Sequence, residues 1–161
     1  MKKEVNTRGS RAIDMSYLEG TIGYSIRRAQ MAVFQSIYEA FGDKAVTLVQ
    51  FSAMAVAADN PEITQAELAE VLAVERPRIV PILNKLEELG LAQRLVCDAD
   101  KRNRRIVLTP KGHKLLVELK KRFAMHERQL AEVMGGDKDR LLAMLRKVST
   151  LRGRLTDGDE S

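Results

Sequence analysis

Tryptophan is absent and aromatic residues make up only 4% of the 161 positions. The sequence therefore predicts a core of Leu, Val, Ile, Ala and Met, a palette that favours helices. A single cysteine excludes an intrachain disulfide framework. No stretch approaches the ~20 apolar residues of a membrane span. The opening MKKEVNTRGSRAIDM is basic but lacks the apolar segment of a secretory signal, so a cytoplasmic location is the expectation. There is no Gly-x-Ser-x-Gly, no phosphate-binding glycine loop, no His-Glu-x-x-His and no credible triad, which leaves an enzyme reading without support. His113 and His126 are too far apart for a same-helix metal pair, and no Cys or carboxylate completes a ligand set. Neither a metal nor a cofactor is expected.

What is present fits a globular chain: 45% hydrophobic and 30% charged residues, with a net charge of +5. The basic balance points weakly to a polyanionic partner. Residues 1–15 lack periodicity and read as a flexible basic arm. Ser16-Tyr17-Leu18-Glu19 has the form of a capping box. Apolar residues then recur at steps of three and four from Leu18 to Phe41, before Gly42, predicting one long first helix. Thr47 and Gln50 repeat the box ahead of LVQFSAMAVAA, apolar all round and so expected to be buried. That helix ends at Asp59-Asn60-Pro61. A third box, Thr64 to Glu67, opens a short helix through Leu72, and a two-residue turn leads to VERPRIVPILNKLEELG.

That last stretch carries Pro77 and Pro81 beside Arg76 and Arg78. Placed at ~100° per residue, Ile79, Ile82, Leu83 and Leu86 share one side. Pro77, Pro81, Asn84 and Glu88 share the other. Pro77 sits in the first turn, where its missing N–H is no loss; Pro81 removes a bond to the Pro77 carbonyl, at a cost of up to ~3 kcal/mol. An outward-facing turn tolerates this, because water or a ligand can reach the freed carbonyl. A rigid ring there could pack on thymine methyl groups, and Arg76 and Arg78 could reach phosphates or guanine edges. A surface helix with a tolerated kink and solvated arginines is the plainer alternative.

LAQRLVC and RRIVLT, separated by DADKRN, predict a two-stranded hairpin. Arg94, Lys101, Arg102, Arg104, Arg105 and Lys111 crowd around it, with Asp98 and Asp100 expected to orient neighbouring arginines. Thr109-Pro110 starts a long helix with a stripe of Leu115, Leu119, Phe123, His126, Leu130 and Val133, ending at Gly135-Gly136. Asp137 is expected to cap a last helix with Leu141, Leu142, Leu145, Val148 and Leu151 on one side. Three short helices, a tight turn before the third and a cationic hairpin make the order of a winged helix-turn-helix: mostly α with a small β-hairpin wing. A winged-helix module that binds protein instead of DNA is the alternative, to which a neutral wing and apolar groove side would be suited.

TQAELAEVLAVERPRIVPILNKLEELGLAQRLVCDADKRNRRIVLTPKG resembles the helix-turn-helix and wing of the MarR (multiple antibiotic resistance regulator) family, and the likeness runs from about Tyr17 to Leu151. The resemblance implies a homodimer interlocked through its first and last helices. Residues 16–42 and 110–151 would be the dimerisation helices of a single domain over 16–151, 44–109 the DNA-binding lobe, and 152–161 a loose tail. It also implies a pseudo-palindromic DNA operator, and repression relieved by a small ligand. By match, Arg76, Pro77, Arg78 and Pro81 occupy groove-facing positions; Asn84, from its place on the outer face, and Lys101 and Arg104, from the hairpin cluster, join them as candidate DNA contacts. Arg102 takes the wing-tip position that enters the minor groove, and Asp100 that of the acid bracing the wing. Glu75 departs from the family's usual Ser, Thr or Asp cap.

On the first helix Tyr24, Met31, Phe34 and Tyr38 form a second apolar strip containing Arg27, with Arg28 on the polar side. A guanidinium among such residues needs an anion. A ligand carboxylate or phosphate is one candidate, with Phe51 and Met54 also lining the site; a structural ion pair is the commoner use of such an arginine. Some relatives with a first helix like IGYSIRRAQ respond to aromatic acids or their coenzyme A thioesters, which makes that ligand class the expectation from resemblance. Cys97 alternates in phase with Leu91 and Leu95, which favours a packed face over a redox switch.

Overall fold

The computed structural model describes residues 13–43, 46–96 and 104–150. The chain divides into two units, Met1–Ser36 and Ile37–Ser161.

In the first unit, α1 (Ser16–Glu19) is a single turn and α2 (Ile22–Phe41) starts separately, carrying on into the second unit. The expected single long helix is thus broken. Ser16 is not a capping side chain; its N–H donates to Asp14 Oδ1 at 2.9 Å, which holds the Asp14 carboxyl below its ordinary range. Gly20 closes α1, and Thr21 satisfies the chain end by donating Oγ1 to the Leu18 carbonyl at 2.8 Å. Glycine's low helix propensity and a hydroxyl that competes for backbone groups outweigh the continuous apolar spacing.

The second unit contains the last turn of α2, α3 (Leu48–Asp59), α4 (Gln65–Val71), α5 (Arg76–Glu88), β1 (Ala92–Val96), β2 (Arg104–Leu108), α6 (Pro110–Met134), a 3-10 turn (Gly135–Asp137) and α7 (Lys138–Ser149). Both later capping boxes form: Thr47 with Gln50 and Thr64 with Glu67 each exchange two bonds, satisfying N-terminal donors. α3 is the central element, with Phe51, Ala53, Met54 and Ala57 buried and α6 and β2 packed on it. The scarce aromatics are concentrated here. Phe51 lies 5.2 Å from both Phe41 and Phe123, ring centre to ring centre, so three of the four phenylalanines join the aliphatic core. Leu68, Ile79, Leu83, Leu86, Ile106 and Leu119 complete it, each contributing ~1.5–3 kcal/mol by burial.

β1 and β2 pair antiparallel, with Arg94 opposite Ile106 and Val96 opposite Arg104. The hairpin gains a third edge, because the Ile106 N–H donates to the Ile63 carbonyl at 3.0 Å and Thr64 bridges to Arg105. Asp137 precedes α7 without a side-chain cap bond, contrary to expectation; its place in the 3-10 turn takes it out of cap geometry. Along the α6 stripe Leu119 and His126 are buried, but Val133 is 84% exposed. On α7, Leu142, Met144, Leu145 and Val148 are exposed too, so that face finds no cover within the described residues. No helix among the described residues is long and apolar enough to cross a membrane, and no cluster among them could hold a metal ion.

Candidate nucleic-acid interface

The turn between α4 and α5 depends on one unusual backbone position. Ala73 adopts φ +51°, and the Ala73 and Val74 N–H groups return to the Glu70 and Ala69 carbonyls at 3.0 and 2.9 Å. This pair of bonds closes α4 and swings the chain into α5. Glu75 stands at the N-cap of α5 with no side-chain bond to the helix. Its carbonyl accepts from both Arg78 and Ile79, so the first turn is tight.

Burial divides α5 as the wheel predicts. Ile79, Leu83 and Leu86 are buried and Ile82 is half-buried, whereas Arg76, Pro77, Arg78, Pro81, Asn84 and Glu88 are all exposed. The outer turn that lacks the Pro81 N–H therefore faces solvent. Lys85 is exposed but paired with Glu88 at 2.8 Å, which reduces its availability for a phosphate.

The hairpin cations do not act as one group. Arg94 is turned onto α5. Its Nη1 meets Glu87 Oε2 at 3.1 Å, and its Nη2 donates to Asn84 Oδ1 at 2.6 Å and to the Val80 carbonyl at 3.3 Å. Arg105 pairs with Glu62 at 2.6 Å, tying the hairpin to the segment before α4. Lys111 donates to the Leu89 carbonyl at 2.7 Å and so caps the C-terminal end of α5. These three, counted in the basic cluster around the hairpin, are structural because each has an anion or an orphan carbonyl within reach. Arg104 is exposed at the end of β2. Lys101, Arg102, Asp100 (expected to brace the wing), Asp98 and Cys97 lie outside the described residues.

A second junction was not visible in advance. The Thr109 N–H donates to the Leu91 carbonyl at 3.0 Å, and its Oγ1 donates to the Gly90 carbonyl at 2.7 Å while accepting from Gly112 at 3.0 Å. Together with Lys111, this fastens the end of α5 to the start of α6. The sequence signal was Thr-Pro-Lys-Gly itself, which reads as a helix start; its second task depends on partners some twenty residues away.

The residues singled out for a ligand fall into different surroundings. In the first unit Arg27 and Met31 are exposed and Tyr24 is half-buried. Arg28, not Arg27, lies over the Tyr24 ring at 6.0 Å, and it reaches the Tyr24 hydroxyl at 3.5 Å. These two are four residues apart and so are neighbours on the helix surface, although Tyr24 was expected in the apolar strip and Arg28 on the polar side. In the second unit Tyr38 is exposed, whereas Phe51 and Met54 are buried in the core. The premise that Arg27 is a buried guanidinium in want of an anion is not met within one chain.

Comparison with known proteins agrees with this architecture. A model of the MarR family matches residues 46–103. The solved structure of the transcriptional repressor CouR bound to a 23-mer DNA duplex is 35% identical, with a TM-score of 0.81 over 86% of this chain and 99% of that one. This chain belongs to the MarR family. CouR bound to p-coumaroyl-CoA is 34% identical, with a TM-score of 0.78 over 86% of this chain and 98% of that one. A candidate transcriptional regulatory protein for the hcr operon of Thauera aromatica is 27% identical over 81% of this chain and 80% of its own length. As a MarR-family member the chain is a winged helix-turn-helix transcriptional regulator and not an enzyme.

Proposed function

We propose that the protein is a repressor that binds a pseudo-palindromic DNA operator as a homodimer and is released by an aromatic acyl-coenzyme A thioester. The observation that carries the DNA reading is the division of α5. One face is locked into the core by Ile79, Leu83 and Leu86, and the other presents Arg76, Pro77, Arg78, Pro81 and Asn84 to solvent. On this reading the arginines bond phosphates or guanine edges, and the proline rings meet thymine methyl groups. Arg104 and, from the sequence, Lys101 and Arg102 extend the contact from the hairpin, with Asp100 bracing it. Two such helices would enter major grooves roughly 34–36 Å apart. The exposed apolar residues of α7 and, separately, Tyr17 and Ile22 of the first unit are surfaces that a second copy would cover. Dimerisation through N- and C-terminal helices and a cytoplasmic location complete the reading.

The ligand class is supported by likeness to CouR bound to p-coumaroyl-CoA. Taken unit by unit, Tyr24, Arg27 and Met31 are the candidate contacts of the first, and Tyr38 is the exposed candidate of the second, where Phe51 and Met54 are buried. A ligand that prefers one spacing of the two DNA lobes shifts the dimer away from the operator by no more than its differential affinity for the two spacings. The test is competition. The full chain is bound to operator DNA selected from a random duplex pool, then titrated with p-coumaroyl-CoA, p-coumarate or coenzyme A. Release by the thioester at concentrations where the two fragments have no effect is the expected result. Release by none of the three, from a protein that binds its operator, would remove the ligand class and leave the DNA reading in place.

A further inference from the structure

Asn84 is exposed on the outer side of α5, yet its side chain is not free to turn. Its Oδ1 accepts from Arg94 Nη2 at 2.6 Å. A guanidinium has only donors, so the amide atom facing it is the oxygen, and the nitrogen is directed elsewhere. Arg94 is itself held. Glu87 takes its Nη1 at 3.1 Å and its backbone N–H at 2.9 Å, and the Val80 carbonyl lies 3.3 Å from Nη2. Its side chain is only 18% exposed and rises from the paired strand β1, opposite Ile106. Among the described residues Asn84 Nδ2 has no acceptor.

We infer that Arg94 sets the base preference of Asn84 by engaging its oxygen, so that Asn84 meets the duplex as a hydrogen-bond donor and selects guanine or thymine instead of adenine. The inference rests on the proposed DNA reading and sharpens it. A free asparagine recognises adenine with both ends of its amide, accepting from N6 and donating to N7. The bond to Arg94 takes one lone pair of the oxygen and turns that end of the amide toward the guanidinium, so oxygen and nitrogen are not both presented side by side to a base edge and the donor is the end left to it. A lone donor bonds N7 of either purine, O6 of guanine or O4 of thymine, and guanine alone offers two adjacent acceptors. Adenine therefore loses its advantage. Arg94 acts here as a positioning residue, reaching the bases only through Asn84.

The full-length protein, Asn84→Ala, Asn84→Asp and Arg94→Met are each incubated with a randomised duplex pool at low salt, and the retained sequences are read. Thermal melting accompanies each variant. In the wild type, the half-site position whose preference is erased by Asn84→Ala is expected to favour guanine or thymine several-fold. Asn84→Asp keeps an oxygen for Arg94 but presents an acceptor in place of the donor, so the preference there moves to cytosine or adenine. Arg94→Met frees the amide and brings adenine in. A folded Arg94→Met whose preference at that position matches the wild type would overturn the part given to Arg94, while Asn84→Asp tests separately whether position 84 meets the duplex as a donor.

An adenine preference in the wild type at that position would overturn the inference. So would an Asn84→Ala profile identical to the wild type, or an Asn84→Asp profile unchanged in base preference. A wild-type protein that retains no duplex from the pool overturns the DNA reading itself, and that result is distinct from retention with the wrong profile.

Discussion

Gly112, in the first turn of α6, is packed on the backbone of Leu91: a Cβ added at Gly112 would overlap the Leu91 carbonyl oxygen. That carbonyl also accepts the Thr109 N–H, so the helix start and the end of the preceding helix share one point of contact. In an ordinary helix Gly→Ala stabilises by up to ~1 kcal/mol. Gly112→Ala is expected to do the opposite, costing ~1–3 kcal/mol through backbone displacement, as read by urea denaturation. An unchanged or raised midpoint would mean that the two backbones are not in contact.

Ala73 and Gly90 occupy the same left-handed position after α4 and α5, with φ +51° and +67°. At Gly90 the conformation is free of strain; at Ala73 it costs ~1 kcal/mol or more. Ala73→Gly is therefore expected to raise stability by up to ~1 kcal/mol in denaturant titration, the added freedom of the unfolded chain offsetting part of the gain. A loss of stability would show that the Ala73 methyl group has a packing role.

Pro81→Ala restores the N–H that the Pro77 carbonyl lacks and removes the ring that crowds it. Stability is expected to rise by up to ~3 kcal/mol. Operator affinity is expected to fall, because the ring lies on the exposed face. Denaturation and duplex binding on the same variant separate the two effects; unchanged affinity would assign the proline no part in recognition.

The Thr64 N–H and side chain bond Glu67, the backbone contribution being the larger, and hold its carboxyl below the ordinary glutamate range. A lowered folded-state value means stability that is present above the ordinary range and lost as pH falls through the folded value. Glu67→Gln keeps an oxygen for the cap but does not titrate. The wild type's advantage in melting temperature over Glu67→Gln is expected to be largest at neutral pH and to shrink in acid below the ordinary glutamate range. A difference that grows in acid would contradict the assigned direction.

Much of this architecture was legible because it is written in local patterns. Thr47 with Gln50 and Thr64 with Glu67 announce helix starts within four residues. The division of α5 follows from spacing alone, since Ile79, Leu83 and Leu86 recur on one side. What was not legible depends on partners distant in sequence. Arg94 and Arg105 belong by sequence to the hairpin's basic cluster, and only the fold shows Asn84, Glu87 and Glu62 beside them, as it shows the Leu89 carbonyl beside Lys111. The break at Gly20 was hidden by an apolar rhythm that continues across it, while the local chemistry of Asp14 and Thr21 won. Tyr24 and Arg28 were separated by residue type, apolar strip against polar side, although the two are one turn apart and the long arginine side chain reaches back over the ring.

The central claim is that the exposed face of α5 binds a duplex through its arginines, and the most direct measurement is the salt dependence of operator affinity for the wild type and the Arg76→Ala/Arg78→Ala double variant. Phosphate neutralisation predicts a linear fall of log K with log salt, about 0.9 per phosphate contact. If both arginines contact phosphates, the slope of the double variant is expected to be shallower by about 2. Binding indifferent to salt, or a double variant with both slope and affinity unchanged, would contradict it.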